Sequence, residues 1–301
     1  MLRHLFITLS HSQAVRRFMI HFGPARRAAR RFIAGETLDE GIGVVRELNA
    51  RGILAALDHL GENVSSHEDA RRAAQEYQAL LRRIATEGVQ STISVKLTHV
   101  GLDFGYEFCC DTMRAILQTA GELGNTVEVD IEGSGYTQVT LDVFHCLLDD
   151  YRNLRLALQA YLFRTEEDLK GLIQRGGSVR LCKGAYDEPA EVALRRRDQV
   201  TAAYASLLAE LMACEGVRPA VATHDSALVA RARELARRRQ QPFEFQMLYG
   251  IRFSLQAELV AAGFPVRVYL PYGVAWYPYL TRRLAERPSN VWFFALALLG
   301  H

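Results

Sequence analysis

Lysine is nearly absent from this chain. Of 36 basic residues, 33 are arginine and three are lysine, at Lys96, Lys170 and Lys183. Where arginine supplies the positive charge, a lysine marks a need for a compact charge or a titratable amine. Lys170 sits in a polar helical pattern, whereas Lys96 and Lys183 close β-like runs. Net charge is also scarce, +2 over 301 residues, which argues against nucleic acid as the main partner. The five cysteines (Cys109, Cys110, Cys146, Cys182 and Cys214) are odd in number and lack metal-ligand spacing. They read as reduced thiols of a cytoplasmic protein. The histidines are scattered, so no metal site is expected. No run approaches the ~20 apolar residues of a membrane span. Leu5–Leu9 is too short for a signal-peptide core. No Gly-x-Gly-x-x-Gly follows a strand-like run, and Gly41-Ile-Gly43 lacks the third glycine, which argues against a Rossmann site. No linker, tandem repeat or low-complexity segment divides the chain, so residues 1–301 read as one domain.

What is present is alternation. Apolar, β-branched runs fall at 53–60, 92–97, 126–131, 154–162, 179–185, 219–223, 243–248 and 265–270. Helical patterns follow at 66–87, 107–123, 140–149, 166–174, 189–213, 227–238, 251–262 and 276–286. Alternating strands and helices imply a parallel sheet, and eight units at this length imply a closed (β/α)8 TIM-type barrel over residues 52–290. An open doubly wound sheet is the alternative. Extra N-terminal helices occupy 1–51 and one C-terminal helix is added. Thr37-Leu-Asp-Glu40 and Ser65-Ser-His-Glu68 have the capping-box pattern. The arginine-rich face of Gln13–Phe32 is either solvated or docked on an anionic membrane. The apolar tail 291–301 either packs on the barrel or touches a membrane. The expected location is therefore cytoplasmic, with peripheral contact at the inner face of the cytoplasmic membrane left open.

Barrel chemistry sits where strands end. Those ends carry Asp58 to Glu62, Lys96 to His99, Asp130 to Gly133, Gln159 to Tyr161, Arg180 to Tyr186, Ala222 to Asp225 and Gln246 to Gly250. Each is weak alone: His224 could be structural, and Lys96 with Asp130 a plain ion pair. Together they put polar groups at every strand end. The eighth unit adds Tyr279, Arg282, Arg283 and Glu286 at helical spacing on one face, where an apolar stripe is usual. That face is either solvated surface or a carboxylate clamp, since paired arginines grip a carboxylate bidentately. Two chemistries compete: Schiff-base catalysis by Lys96 or Lys183, and flavin redox chemistry tuned by nearby positive charge. A non-catalytic binding barrel is a third reading, and the crowded mouth argues against it.

At Arg31-Phe-Ile-Ala-Gly-Glu-Thr37, Asp58-His-Leu-Gly-Glu62, Ile93-Ser-Val-Lys-Leu-Thr98, Gln159-Ala-Tyr-Leu162, Arg180-Leu-Cys-Lys-Gly-Ala-Tyr186, Ala222-Thr-His224 and Glu244-Phe-Gln-Met-Leu-Tyr-Gly250 the chain closely resembles the proline dehydrogenase family. These are FAD-dependent enzymes that oxidise L-proline to Δ1-pyrroline-5-carboxylate, and the size resembles the single-function bacterial type. The resemblance implies that Arg282 and Arg283, helped by Lys96, bind the substrate carboxylate. It places Asp130 and Arg180 at the reacting centre and flavin N5. Leu248, Tyr269 and Tyr279 become walls of the ring pocket, with Tyr279 favouring proline over its 4-hydroxy relative. Ile131, Gln159, Arg180, Lys183, Gly184, Ala185, Thr223 and His224 resemble flavin-binding positions. Glu62 is a candidate gate that pairs with one arginine of the clamp when the site is occupied. The usual electron acceptor in the family is a quinone. Two residues depart from the pattern: His99 stands where Gln is expected, and Asp225 where Asn is usual. The oligomeric state is not legible.

Overall fold

The computed structural model describes residues 29–286, with side chains as far as Thr281. Most of the basic stretch Gln13–Phe32 and all of the tail 291–301 lie outside the described residues.

The first complete helix, α1 (Leu38–Ala50), starts at the expected capping box: Glu40 N–H donates to Thr37 Oγ1, and Glu40 Oε2 accepts from Thr37 N–H. Eight strand–helix units follow. They are β1 (Leu54–His59) and α2 (His67–Glu87), β2 (Ser91–Val95) and α3 (Tyr106–Glu122), β3 (Val127–Val129) and α4 (Ser134–Leu148), and β4 (Leu154–Gln159) and α5 (Thr165–Gln174). Then come β5 (Ser178–Cys182) and α6 (Arg197–Ala213), β6 (Ala220–Ala222) and α7 (Ser226–Ala236), β7 (Glu244–Leu248) and α8 (Phe253–Ala261), and β8 (Val266–Tyr272) and α9 (Trp276–Glu286). Every neighbouring pair is parallel, and β8 pairs with β1 from Leu54↔Arg267 to His59↔Tyr272, closing the barrel. The (β/α)8 expectation is borne out.

Three local expectations need correction. The N-cap of α2 is Ser66, not Ser65, because Asp69 at N3 is the residue whose N–H reaches a serine hydroxyl. Helix α4 begins at Ser134, earlier than 140, because Glu188 arrives from a distant loop to accept the Ser134 N–H at 2.7 Å. Helix α6 begins at Arg197, later than 189. The preceding segment instead runs beside the β4 loop, joined by the bridge Leu162↔Ala193 and by Leu194 N–H to Tyr161 O.

Strand side chains alternate between two faces. One set, including Leu57, Ile93, Val95, Val127, Val129, Leu156, Leu181, Phe245 and Val268, packs outward on the helices in one continuous core. Helix α2 meets it with Ala73, Tyr77, Leu80, Leu81 and Ile84, the spacing of a buried helical stripe. The other set points into the barrel. There, where branched apolar residues usually fill the space, this chain places Thr92, Ser94, Glu128, Arg155, Arg180, Glu244, Gln246 and Arg267, all linked by hydrogen bonds.

Candidate active site

Asp130 lies at the centre of the mouth. It follows β3, its N–H donates to Val95 O, and its side chain points inward. Oδ1 accepts from Ser94 Oγ at 2.7 Å and from Arg180 Nη1; Oδ2 accepts from Tyr269 Oη at 2.6 Å. Lys96 Nζ stands 3.6 Å from the same Oδ2. Burial would raise this carboxyl's pKa, but Arg180 and Lys96, with the Tyr269 and Ser94 hydrogen bonds, hold it below the usual carboxylate range. Asp130 is therefore an ionised anchor that accepts three hydrogen bonds, and a poor general base.

Lys96 directly follows β2 and continues its inward face. Its ammonium donates to both oxygens of Asp58 at 3.1 Å. Asp58 is 0% exposed. Burial pushes its pKa up, the Lys96 charge offsets part of that, and Asp130 adds to it. In the sequence Asp58 is visible only as a strand-end carboxylate. It holds the lysine in place.

Arg180 is 4% exposed. It donates to Asp130 and Ser94 on one side and to Glu128 at 2.7 Å on the other, and its guanidinium lies 5.4 Å from the Tyr269 ring centroid. Its Nε is buried with no hydrogen-bond partner among the described residues.

The residues expected to hold a flavin gather on adjoining strand ends. Gln159 bridges two loops: Nε2 donates to Glu132 O at 3.0 Å, and Oε1 accepts from Ala185 N–H at 3.2 Å. Gly184 adopts φ +123°, and a Cβ there would lie 2.4 Å from the Tyr161 ring, so only glycine fits. Lys183 donates to Thr201 Oγ1 and to Asp225 Oδ2 at 2.7 Å. Asp225 also caps α7 by accepting from Ala227 and Leu228 N–H, so its departure from Asn adds a charge partner for Lys183. His224 Nε2 accepts the Leu248 N–H at 3.0 Å, which ties a cofactor candidate to a pocket-wall candidate. Thr223 is buried and accepts from the Asp225 N–H. Ile131 is buried directly after Asp130. An orphaned guanidinium N–H, a glycine without room for a side chain and a set of donors at one mouth fit a flavin, and no observation here conflicts with it.

Tyr279 on α9 is buried in a cluster with Phe32, Leu60, Trp276 and Leu280, and Tyr269 packs against this cluster. Both tyrosines therefore belong to the same apolar neighbourhood. Glu62 is half-buried on the β1–α2 loop, close enough to influence His99 and Glu132 electrostatically. Arg282 and Arg283 fall on the α9 backbone, but their side chains lie outside the described residues. His99 is buried in the β2–α3 connection. Its Nδ1 is 3.2 Å from Tyr77 Oη, and its ring packs near His59 and against Gly61. Among the described residues, no helix is long and apolar enough to cross a membrane, and no group of three His, Cys, Asp or Glu residues could hold a metal.

Against known proteins, a family model described as proline dehydrogenase matches residues 42–295. Proline dehydrogenase 1 of Bacillus subtilis (strain 168) is 38% identical over 302 residues, covering 99% of both chains. Proline dehydrogenase of Deinococcus radiodurans is 35% identical, covering 90% of each. Among solved structures, proline utilization A from Bdellovibrio bacteriovorus superposes with a TM-score of 0.81 at 27% identity over 87% of this chain. The match spans 33% of that longer protein. Barrel, mouth and near full-length similarity agree, and the chain belongs to the proline dehydrogenase family.

Proposed function

We propose that the chain oxidises L-proline to Δ1-pyrroline-5-carboxylate with bound FAD, the first step of proline degradation. The observation that carries this reading is Arg180: a buried guanidinium fixed between Asp130 and Glu128, with Nε unbonded, beside a lysine and a tyrosine. Ile131, Gln159, Arg180, Lys183, Gly184, Ala185, Thr223 and His224 would hold the flavin. Bound there, FAD would supply the acceptor for a hydride from the carbon beside the substrate nitrogen and a route for its electrons to a quinone-type acceptor.

The rest is done by the chain. Lys96, Arg282 and Arg283 take the substrate carboxylate and fix the ring's orientation, which makes the reaction effectively unimolecular. Leu248, Tyr269 and Tyr279 wall the ring and exclude water. Asp130, held ionised by Arg180 and Lys96, leaves the amine's proton to solvent, and the substrate reacts as its neutral amine. Glu62 pairs with one arginine of the clamp when the site is filled; a complex with a proline analogue that leaves the two apart would remove this part.

The Schiff-base alternative is weaker on geometry. Lys96 faces Asp58 and Asp130, and Lys183 faces Asp225. Such ion pairs suit an ammonium, not a nucleophilic amine. The purified protein should show a flavin spectrum that bleaches on anaerobic addition of proline. A colourless protein trapped by borohydride with a keto substrate would overturn the proposal. Arg283→Met should raise the KM for proline about 10- to 100-fold, the loss expected for a charge-assisted hydrogen bond. An unchanged KM would show that the clamp lies elsewhere.

A further inference from the structure

From the mouth down into the barrel, eight charged groups form one continuous set of ion pairs. The carboxylates are Asp58, Glu128, Asp130 and Glu244, and the cations are Lys96, Arg155, Arg180 and Arg267. Four formal negative charges therefore meet four positive ones. Glu128 is the hub, only 1% exposed. Its Oε1 accepts from Thr92 Oγ1 at 2.7 Å. Its Oε2 accepts from Arg180 Nη2 at 2.7 Å, Gln246 Nε2 at 2.8 Å and Arg155 Nη1 at 3.2 Å. Arg267 Nε stands 3.8 Å away. Arg180 is thus held from two sides: Asp130 fixes one end of its fork at the mouth, and Glu128 fixes the other from beneath. No rotation of the guanidinium keeps both bonds, because its donors form a rigid plane.

We propose that Glu128, which lies beneath the mouth and off the substrate's path, is a positioning residue for Arg180, and that its charge balances the buried layer so as to set the electron affinity of the flavin. The inference rests on the flavin reading given above. Reduction adds negative charge to the flavin. A buried layer with one surplus positive charge stabilises that form, whereas a balanced layer does not, and low polarity around the layer makes the difference large.

The experiment is redox titration and stopped-flow reduction by proline on the flavin-loaded protein. Glu128→Gln removes the charge and keeps the shape. Its midpoint potential should shift positive, because Arg155, Arg180 and Arg267 are then under-compensated. The rate of flavin reduction should fall about 10-fold or more as Arg180 loses a charged anchor, with the KM for proline within about twofold. The double variant Glu128→Gln with Arg155→Gln restores the balance at three against three, and its potential should return toward the parent's. Should Glu128→Gln fail to fold, Glu128→Asp keeps the charge but withdraws it by one methylene; it should slow reduction without moving the potential. The inference is overturned if Glu128→Gln keeps the parent's potential and rate, if the double variant's potential stays with that of the single one, or if Glu128→Asp reduces at the parent's rate. A parent protein that binds no flavin would instead sink the proposed function. A parent that bleaches normally beside an indistinguishable Glu128→Gln sinks only this inference.

Discussion

Arg180→Met should cost the fold about 3–5 kcal/mol, the usual penalty for removing one partner of a buried ion pair. Arg180 is the shared cation of Glu128 and Asp130, and the methionine would leave both carboxylates facing an apolar side chain. Ser94 would still donate to Asp130, and Gln246 and Arg155 to Glu128, which keeps the loss within that range. For a domain of this size the melting temperature should fall by roughly 10 °C. Turnover should drop about 10²–10³-fold, as when a fixed donor facing developing charge is removed. Arg180→Lys should recover little turnover, since one ammonium cannot span Asp130 and Glu128 as the guanidinium fork does. Thermal melts followed by circular dichroism, with kcat on the flavin-loaded protein, check both parts. A variant that melts like the parent would mean that Glu128 and Asp130 find other partners.

Acid should weaken this protein well above the pH at which carboxylates titrate. The group responsible is His99. Burial, followed by the neighbouring His59 and Lys96, drives its pKa from 6.5 to about 3. Below pH 6.5 the unfolded chain therefore binds a proton at this residue and the folded chain does not. Stability is fully present above 6.5 and is lost as the pH falls toward 3. At about 1.4 kcal/mol per unit, going from pH 6.5 to 5 removes about 2 kcal/mol. Glu128, Asp130 and Glu244, all held low by arginine or lysine, act with the same sign, but only below their ordinary values of 4.5, 3.8 and 4.5. Asp58, raised by burial, acts with the opposite sign. His59, lowered by burial, adds to the His99 effect. The carboxylate contributions are common to the parent and to His99→Gln, so the difference between their stability–pH curves reports His99 together with its interaction with His59. Denaturant titrations at pH 7, 6 and 5 should give a flatter curve for His99→Gln; parallel curves would show that His99 takes a proton without cost.

Much of this architecture is legible in the sequence because period two and period 3.6 alternate eight times without interruption. What escapes is set at long range. The start of α4 depends on Glu188, 54 residues away, and no local pattern announces that contact. The late start of α6 depends on a bridge to the β4 loop. In the site, strand ends point directly to Lys96, Asp130, Gln159, Arg180 and Lys183. The layer beneath is not announced by the strand ends. Its signal is nonetheless in the sequence as parity: Ser94 precedes Lys96 by two, Glu128 precedes Asp130, Gln246 precedes Leu248, and Arg267 precedes Tyr269. Side chains two apart on a strand share a face. Following each inward residue back along its strand would have found Thr92, Glu128, Glu244 and Arg267. Asp58 shows the same limit from the other side: its place is evident, but its partnership with Lys96 requires knowing that β1 and β2 adjoin.

The closure of β8 onto β1 also governs how the chain comes to be folded. Arg267 Nη1 donates to Ala55 O across 212 positions of sequence, and Leu54 through His59 find their second neighbour only in β8. During synthesis the first strand is made early and must wait for the last before its open edge is covered. Contacts of such separation are slow to form, and an exposed strand edge is an invitation to mispairing. The nascent chain is therefore most vulnerable in the interval before β8 emerges, and its yield in a cell should depend on how that interval is protected.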